Sequence, residues 1–296
     1  MFGKYAQFTD TAHNNTYPAI SPLRPELSQA GKTVLISGGN TGIGYGIAQG
    51  FVSASAARVI ITGRRADVVL KATEDLKKAG DKTEVVGIPC DVSDSAAVDA
   101  LWDKLESEDV VVDVLVLNAV AFPPEKPLRD LGVEGLWKIF DMNVRAQLQI
   151  SERFYKQKKR ETSETKYLIY VSSVSVHDFN IGGEYLAYGL TKHSVQLGLQ
   201  LIAQDTLPDE LQVISYHPGA ILTENALAKG WKEDSFPWDH VDLPGHFAVW
   251  AASPEARFLH GRFVWASWDV SELQRGDIRR RIDEDSTYLK IGINGL

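Results

Sequence analysis

SGGNTGIG, residues 37–44, is a glycine-rich turn between a short apolar run and a helical stretch. The run before it, TVLIS (33–37), is β-branched and uninterrupted by polar residues, as a strand buried on both faces requires. The helical stretch lies around residues 47–54. Gly38, Gly42 and Gly44 permit a tight strand-to-helix turn. The first N–H groups of the helix beyond, and its positive dipole end, are then left to face an anion. The spacing is GxxxGxG, in place of the commoner GxGxxG. Placed after a strand, it points to a dinucleotide whose pyrophosphate docks on the turn, with a merely structural glycine turn as the alternative.

Outward from this turn, strand and helix patterns alternate. RVIITG (58–63) reads as the second strand, and 66–80 as a helix closed by Gly80. Strands follow at 83–92, 112–120, 166–173 and 211–219, with RFVWAS (262–267) as a seventh. The intervening helices are 95–108, a long one over 134–160, and 186–207. Strict alternation of this kind implies an α/β fold: a single Rossmann-type, doubly wound parallel sheet of about seven strands with helices on both faces. That domain covers 32–270. Residues 1–31 are polar, carry Pro18, Pro22 and Pro25, and read as an N-terminal arm extended over the surface, or as a partly disordered tail. Residues 271–296 form a C-terminal tail whose RGDIRRRIDEDS run reads as a solvated helix.

Composition narrows the partners. The chain has 296 residues, 44% hydrophobic and 24% charged, with a formal net charge of −8. That balance suits a soluble globular protein and disfavours nucleic acid and anionic lipid. Cys90 is the sole cysteine, so neither an intrachain disulfide nor a four-cysteine zinc site can form. The seven histidines lack HExxH-type spacing, and no metal is expected. No apolar run approaches the ~20 residues of a membrane span, and the N-terminus lacks an apolar signal region. The expectation is a cytoplasmic protein acting on a small molecule, without membrane or nucleic-acid partners.

The end of the second strand bears on cofactor choice. A carboxylate about 20 residues past the glycines would bind the ribose 2′-hydroxyl of NAD. Arg64 occupies that place, followed by Arg65, and guanidinium groups suit a 2′-phosphate. NADP(H) is the expected cofactor, and nearby Asp67 keeps NAD open. For chemistry, Tyr188 and Lys192 form YGLTK, so they share one helical face a turn apart. A nearby ammonium favours the phenolate and lowers the tyrosine pKa from ~10. Such a tyrosine can protonate an alkoxide or deprotonate an alcohol.

SGGNTGIG, CDVSD (90–94), LNAVA (117–121), MNV (142–144), VSSVS (171–175), YGLTK (188–192) and HPGAILT (217–223) occur together in this order. Their order and spacing resemble the short-chain dehydrogenase/reductase family over about residues 31–268. The arm before the glycines, YPAISPLRPELSQAGKTVLISGG (17–39), also resembles that of some fungal members. The resemblance implies roles. Gly38, Asn40, Thr41, Ile43 and Gly44 would surround the phosphates, and Arg64 and Arg65 would hold the 2′-phosphate. Asp91 and Val92 would flank the adenine, and Asn118 and Ala119 the adjoining ribose. Tyr188 would be the acid/base, and Lys192 would bind the nicotinamide ribose. A serine would hydrogen-bond the substrate oxygen, and Asn143 would hold a relay water. Pro218, Gly219, Ile221 and Thr223 would line the nicotinamide. A homodimer or homotetramer is implied as well.

Three features depart from the family pattern. The usual NNAG is Leu117-Asn118-Ala119-Val120 here. The catalytic serine is Ser173 by its place after the strand, with Ser175 as the alternative by distance to Tyr188. WASWDV (265–270) and a long tail replace a glycine-rich end. On the substrate side, Trp231, Phe236 and Trp238 lie in the segment after Thr223 and read as an aromatic lid, suited to a bulky apolar or aromatic substrate. His177, Phe179, Tyr185 and Trp265 could add to the wall, and His217 reads as a packed strand residue. The leading function is an NADP(H)-dependent ketone reductase or alcohol dehydrogenase, with a role in secondary metabolism suggested by the fungal resemblance. The altered NNAG motif motivates an alternative, a dehydratase, isomerase or cyclase without net redox. A non-catalytic NADP-binding protein is a further alternative, against which the Ser/Tyr/Lys set argues.

Overall fold

Each of the seven apolar runs forms a strand in the computed structural model, which describes residues 7–122, 126–157, 165–178 and 186–293. The strands are β1 Thr33–Ile36, β2 Arg58–Gly63, β3 Glu84–Pro89, β4 Val114–Leu117, β5 Lys166–Val171, β6 Leu211–His217 and β7 Arg262–Trp265. All pair in parallel, in the order β3-β2-β1-β4-β5-β6-β7. Chain order reverses between β1 and β4, and this opens a crevice at the carboxyl ends of the strands.

Side chains alternate across the sheet and divide the core into two layers. Val34, Ile36, Val59 and Ile61 face helices α1 (Gly42–Ser53), α2 (Ala66–Ala79) and α8 (Asp242–Ala251). Leu35, Ile60, Leu115 and Leu168 face α3 (Ser95–Ser107), α5 (Ala146–Lys156) and α6 (Leu186–Gln204). Burial on both faces explains why β1 and β4 are apolar at nearly every position.

Three expectations need correction. The long helix expected over 134–160 is not continuous. It comprises α4 (Leu128–Phe140), a π-helical turn at Asp141–Arg145, and then α5. The break is held by tertiary bonds, since Arg145 donates to the Ser93 carbonyl and Asn143 pairs with Ala121. The N-terminal arm does more than lie on the surface, because Tyr17, Ile20 and Leu27 are buried in the first core layer. The tail, too, is more than a solvated helix. After the short helices α7 (Glu224–Ala228) and α9 (Val270–Leu273), helix α10 (Gly276–Glu284) buries Ile282. Arg262 of β7 donates to the Ile282 carbonyl at 2.6 Å, and Phe263 N–H donates to the Leu289 carbonyl at 2.9 Å. The tail thus covers the edge strand of the sheet.

Candidate active site

The glycine turn lies at the crevice, between β1 and α1. Thr41 caps α1 in an extended conformation and makes no side-chain bond to the first helical N–H groups, which leaves that end suited to an anion. A Cβ on Gly44 would stand 2.1 Å from the Gly38 carbonyl oxygen and 2.5 Å from Asn118 Nδ2. The turn is therefore a cradle that any side chain there would fill. Asn118 locks it from beneath: Nδ2 donates to the carbonyls of Ser37 (3.1 Å) and Gly38 (3.0 Å). Ser37 Oγ accepts in return from the N–H groups of Asn118 (3.0 Å) and Ala119 (3.1 Å). Asn40 packs over Gly63, and Ile43 over the first core layer. At the end of β2, Arg64 and Arg65 are solvent-exposed and form no ion pair with a described residue. Their strand is tied to the turn by the Gly39 N–H donating to the Thr62 carbonyl at 3.0 Å. Past β3, Asp91 Oδ1 accepts from Ser93 N (3.0 Å) and Ser93 Oγ (2.7 Å), next to half-buried Val92. Opposite, Thr223 methyl would lie 3.1 Å from a Cβ on Gly42. The turn of Pro218, Gly219, Ile221 and Thr223 beyond β6 thus faces the cradle. A dinucleotide fits this arrangement: cations at one end, uncapped helix N–H groups in the middle, and Ser173, Tyr188 and Lys192 at the other.

Those side chains converge beyond β5. Ser173, two residues past the strand, caps the short turn Val174–Val176 and lies close enough to the Tyr188 phenol to favour its ionised form. Ser175, the alternative, has a buried hydroxyl without a hydrogen-bond partner among the described residues. Lys192 Nζ is buried, donates to the Val171 carbonyl at 2.6 Å, and stands 4.7 Å from the Tyr170 ring and 5.8 Å from the Tyr188 ring.

The expected lowering of the Tyr188 pKa is not what this geometry gives. Loss of solvent pushes it up to about 12, against the smaller opposing effect of the nearby Ser173 hydroxyl. The same desolvation holds Lys192 down to about 7, so the charge meant to favour the phenolate is itself weakened. Asn143 lies at the π-helical turn beside the site. Its amide is engaged with both backbone groups of Ala121 at 2.8 Å and with Thr191 Oγ1 at 3.3 Å. It braces the floor of the site, and a π-helical turn at such a position is a common mark of function.

Trp265 Nε1 lies 3.2 Å from His177 Nε2, and His217 is packed edge-on against Trp265 at 4.4 Å. Burial drives His217 down to about 3, with Nδ1 accepting from Val174 N–H, so it stays neutral as a packed strand residue. Trp231, Phe236 and Trp238 form one aromatic cluster, with Trp231 edge-on to Trp238 at 6.1 Å. Phe179 and Tyr185 lie outside the described residues. Two residues escaped the sequence reading. Asp239 clamps the turn after β6, its Oδ2 accepting from Ala220 N–H at 2.8 Å, and nothing in the local sequence signals it. Phe122 stacks on Tyr188, and its one signal was its place two residues after the altered motif.

A doubly wound parallel sheet with a glycine cradle and a Ser/Tyr/Lys set at one crevice is the architecture of the dinucleotide-dependent oxidoreductases. The family model for short chain dehydrogenases matches residues 32–234. The chain belongs to the short-chain dehydrogenase/reductase family. It is 34% identical over 295 residues to the short chain dehydrogenase/reductase AacuD of Aspergillus aculeatus, covering 99% of this chain and 98% of that one. It is likewise 34% identical over 299 residues to the short chain dehydrogenase/reductase nsrO of Aspergillus novofumigatus, with 99% of each chain covered. Among solved structures, an NADP active-site complex of Pseudomonas aeruginosa RhlG superposes with a TM-score of 0.72 at 23% identity, over 82% of this chain and 97% of that one. L-sorbose reductase from Gluconobacter frateurii, complexed with NADPH and L-sorbose, gives 0.70 at 20% identity, over 81% and 96%. Among the described residues, no helix is long and apolar enough to cross a membrane.

Proposed function

We propose that the protein is an NADP(H)-dependent oxidoreductase acting on the carbonyl or alcohol of a bulky apolar or aromatic substrate, in secondary metabolism of the fungal kind. The observation that carries this reading is the buried Lys192 ammonium, held by the Val171 carbonyl 5.8 Å from the Tyr188 ring, at the same crevice as the glycine cradle. The nicotinamide, when bound, supplies or takes up the hydride. Tyr188, protonated across the neutral range, gives its proton to the substrate oxygen during reduction, and Ser173 hydrogen-bonds that oxygen. Lys192 stands behind the phenol as the group able to respond to pH near neutrality. The aromatic cluster of Trp231 and Trp238 supports a bulky apolar or aromatic substrate.

Exposed Arg64 and Arg65 support NADP(H), as do the NADP and NADPH complexes among the structural neighbours. Apolar residues exposed along one side of α6, namely Leu186, Leu190, Leu197 and Leu201, support a homodimer or homotetramer. Consumption of NADPH with a panel of aromatic ketones tests the activity, and no consumption with any of them counts against it. Replacing Arg64 and Arg65 by alanine is expected to cut the NADPH/NADH preference in kcat/KM by roughly tenfold or more, as befits loss of charge-assisted bonds. An unchanged preference would remove those arginines from the cofactor site.

A further inference from the structure

Phe122 stands two residues beyond the altered motif 117–120, and its position is fixed from behind. Ala121, the residue before it, donates its N–H to Asn143 Oδ1 at 2.8 Å and accepts at its carbonyl from Asn143 Nδ2 at 2.8 Å. Two residues further back, the Ala119 carbonyl accepts from Gln147 Nε2 at 2.8 Å. In front, the Phe122 ring lies nearly parallel to that of Tyr188, with centroids 4.9 Å apart and planes at 14°. The ammonium of Lys229, in the lid segment, stands 4.3 Å from the Phe122 centroid. Even so, 43% of Phe122 remains exposed. A ring that is anchored, stacked on the catalytic phenol and still open to solvent presents a contact surface at the reacting centre.

We propose that Phe122 is a specificity-determining residue that selects ketones carried on a flat aromatic ring, an inference that rests on Tyr188 being the proton donor. The stack covers a face of the Tyr188 ring, so a substrate oxygen reaches the phenol along its hydroxyl edge, beside Ser173. The group bearing the carbonyl then lies against the open part of Phe122. With Tyr188 stacked on the ring and the Lys229 ammonium over it, the open part of Phe122 is its rim, which a flat ring can meet in edge-to-face contact and a puckered saturated ring of the same size cannot. Geometry-specific aromatic contacts are worth roughly 2- to 12-fold in affinity beyond the area they bury. The nearby Lys229 ammonium further favours electron-rich rings.

The test is binding of 1-tetralone and its saturated counterpart 1-decalone to the protein saturated with NADP+, read by calorimetry so that turnover is not needed. The native protein is expected to bind 1-tetralone more tightly. Phe122→Leu, which keeps apolar volume but removes the ring, is expected to cut the tetralone/decalone affinity ratio by roughly 2- to 12-fold while leaving decalone affinity and Tm unchanged. An equal ratio in native and Phe122→Leu proteins overturns the inference, as does absence of tetralone binding to the native protein. If Phe122→Leu does not fold, Phe122→Tyr decides: a retained ratio supports the inference, and a lost ratio at native Tm overturns it. Selective binding of 1-tetralone without its reduction would count against the proposed activity and leave the selectivity standing.

Discussion

Lys192 is held where its charge is least welcome. Its ammonium is buried, it has the Val171 carbonyl as hydrogen-bond partner, and its pKa falls to about 7. In the unfolded chain it titrates near the ordinary lysine value of ~10.4. Between those two pH values the unfolded chain holds a proton that the native one releases. This group therefore weakens the fold progressively as pH falls towards 7, with the full cost below it, and costs nothing above the unfolded value. Lys192→Met should raise Tm at pH 7 by several degrees, since about 1 kcal/mol corresponds to about 2–4 °C in a chain of this size. The gain should shrink as the pH of the melt approaches 10.5, and a gain independent of pH would contradict the account. The Tyr188–Lys192 pairing was legible in YGLTK because helical period alone puts positions four apart on one face. The direction of the phenol shift was not legible, because it depends on how much solvent the folded surroundings exclude.

At the scale of elements, the strands were legible because burial on both faces demands continuous apolar runs, as in TVLI of β1 and VLVL of β4. The break between α4 and α5 was not, since bonds to distant Ala121 and Ser93 set it. Nor was the crossing of α1 and α8, where two backbones nearly touch. A Cβ on Gly245 would lie 2.6 Å from the Gly46 carbonyl oxygen, and one on Gly50 2.9 Å from that of Gly245. Side-chain rotation cannot relieve contacts with backbone. This crossing fixes the direction in which α1 presents its N-terminus to the cradle. Gly245→Ala should destabilise the protein by about 1–3 kcal/mol through overpacking, read as a lower denaturant midpoint with unchanged m. A native midpoint would show that the two helices are free to separate.

The whole molecule is closed by its two ends. Tyr17 in the arm donates to the Trp268 carbonyl at 2.9 Å and accepts from Val270 N–H at 3.1 Å. His13 pairs with Asp269 at 2.9 Å, and Phe8 stacks on Trp268 at 4.1 Å. The arm reads as polar in sequence because its few apolar residues lack any period, and their burial depends on a partner segment some 250 residues away. Tyr17→Phe removes both bonds and should cost about 1–3 kcal/mol in chemical denaturation without changing the cofactor preference. A native stability would mean that the arm merely rests on the body. The proposed reaction is reduction of a carbonyl in this assembled crevice with Tyr188 as the proton donor. Its most direct test is transfer of deuterium from C4-labelled NADPH to an aromatic ketone, in native protein and in Tyr188→Phe. Label is expected on the carbinol carbon with native protein, and a rate lower by about 10²–10⁴-fold in Tyr188→Phe while NADPH binding persists. Absence of label with native protein, or transfer at the native rate by Tyr188→Phe, would contradict it.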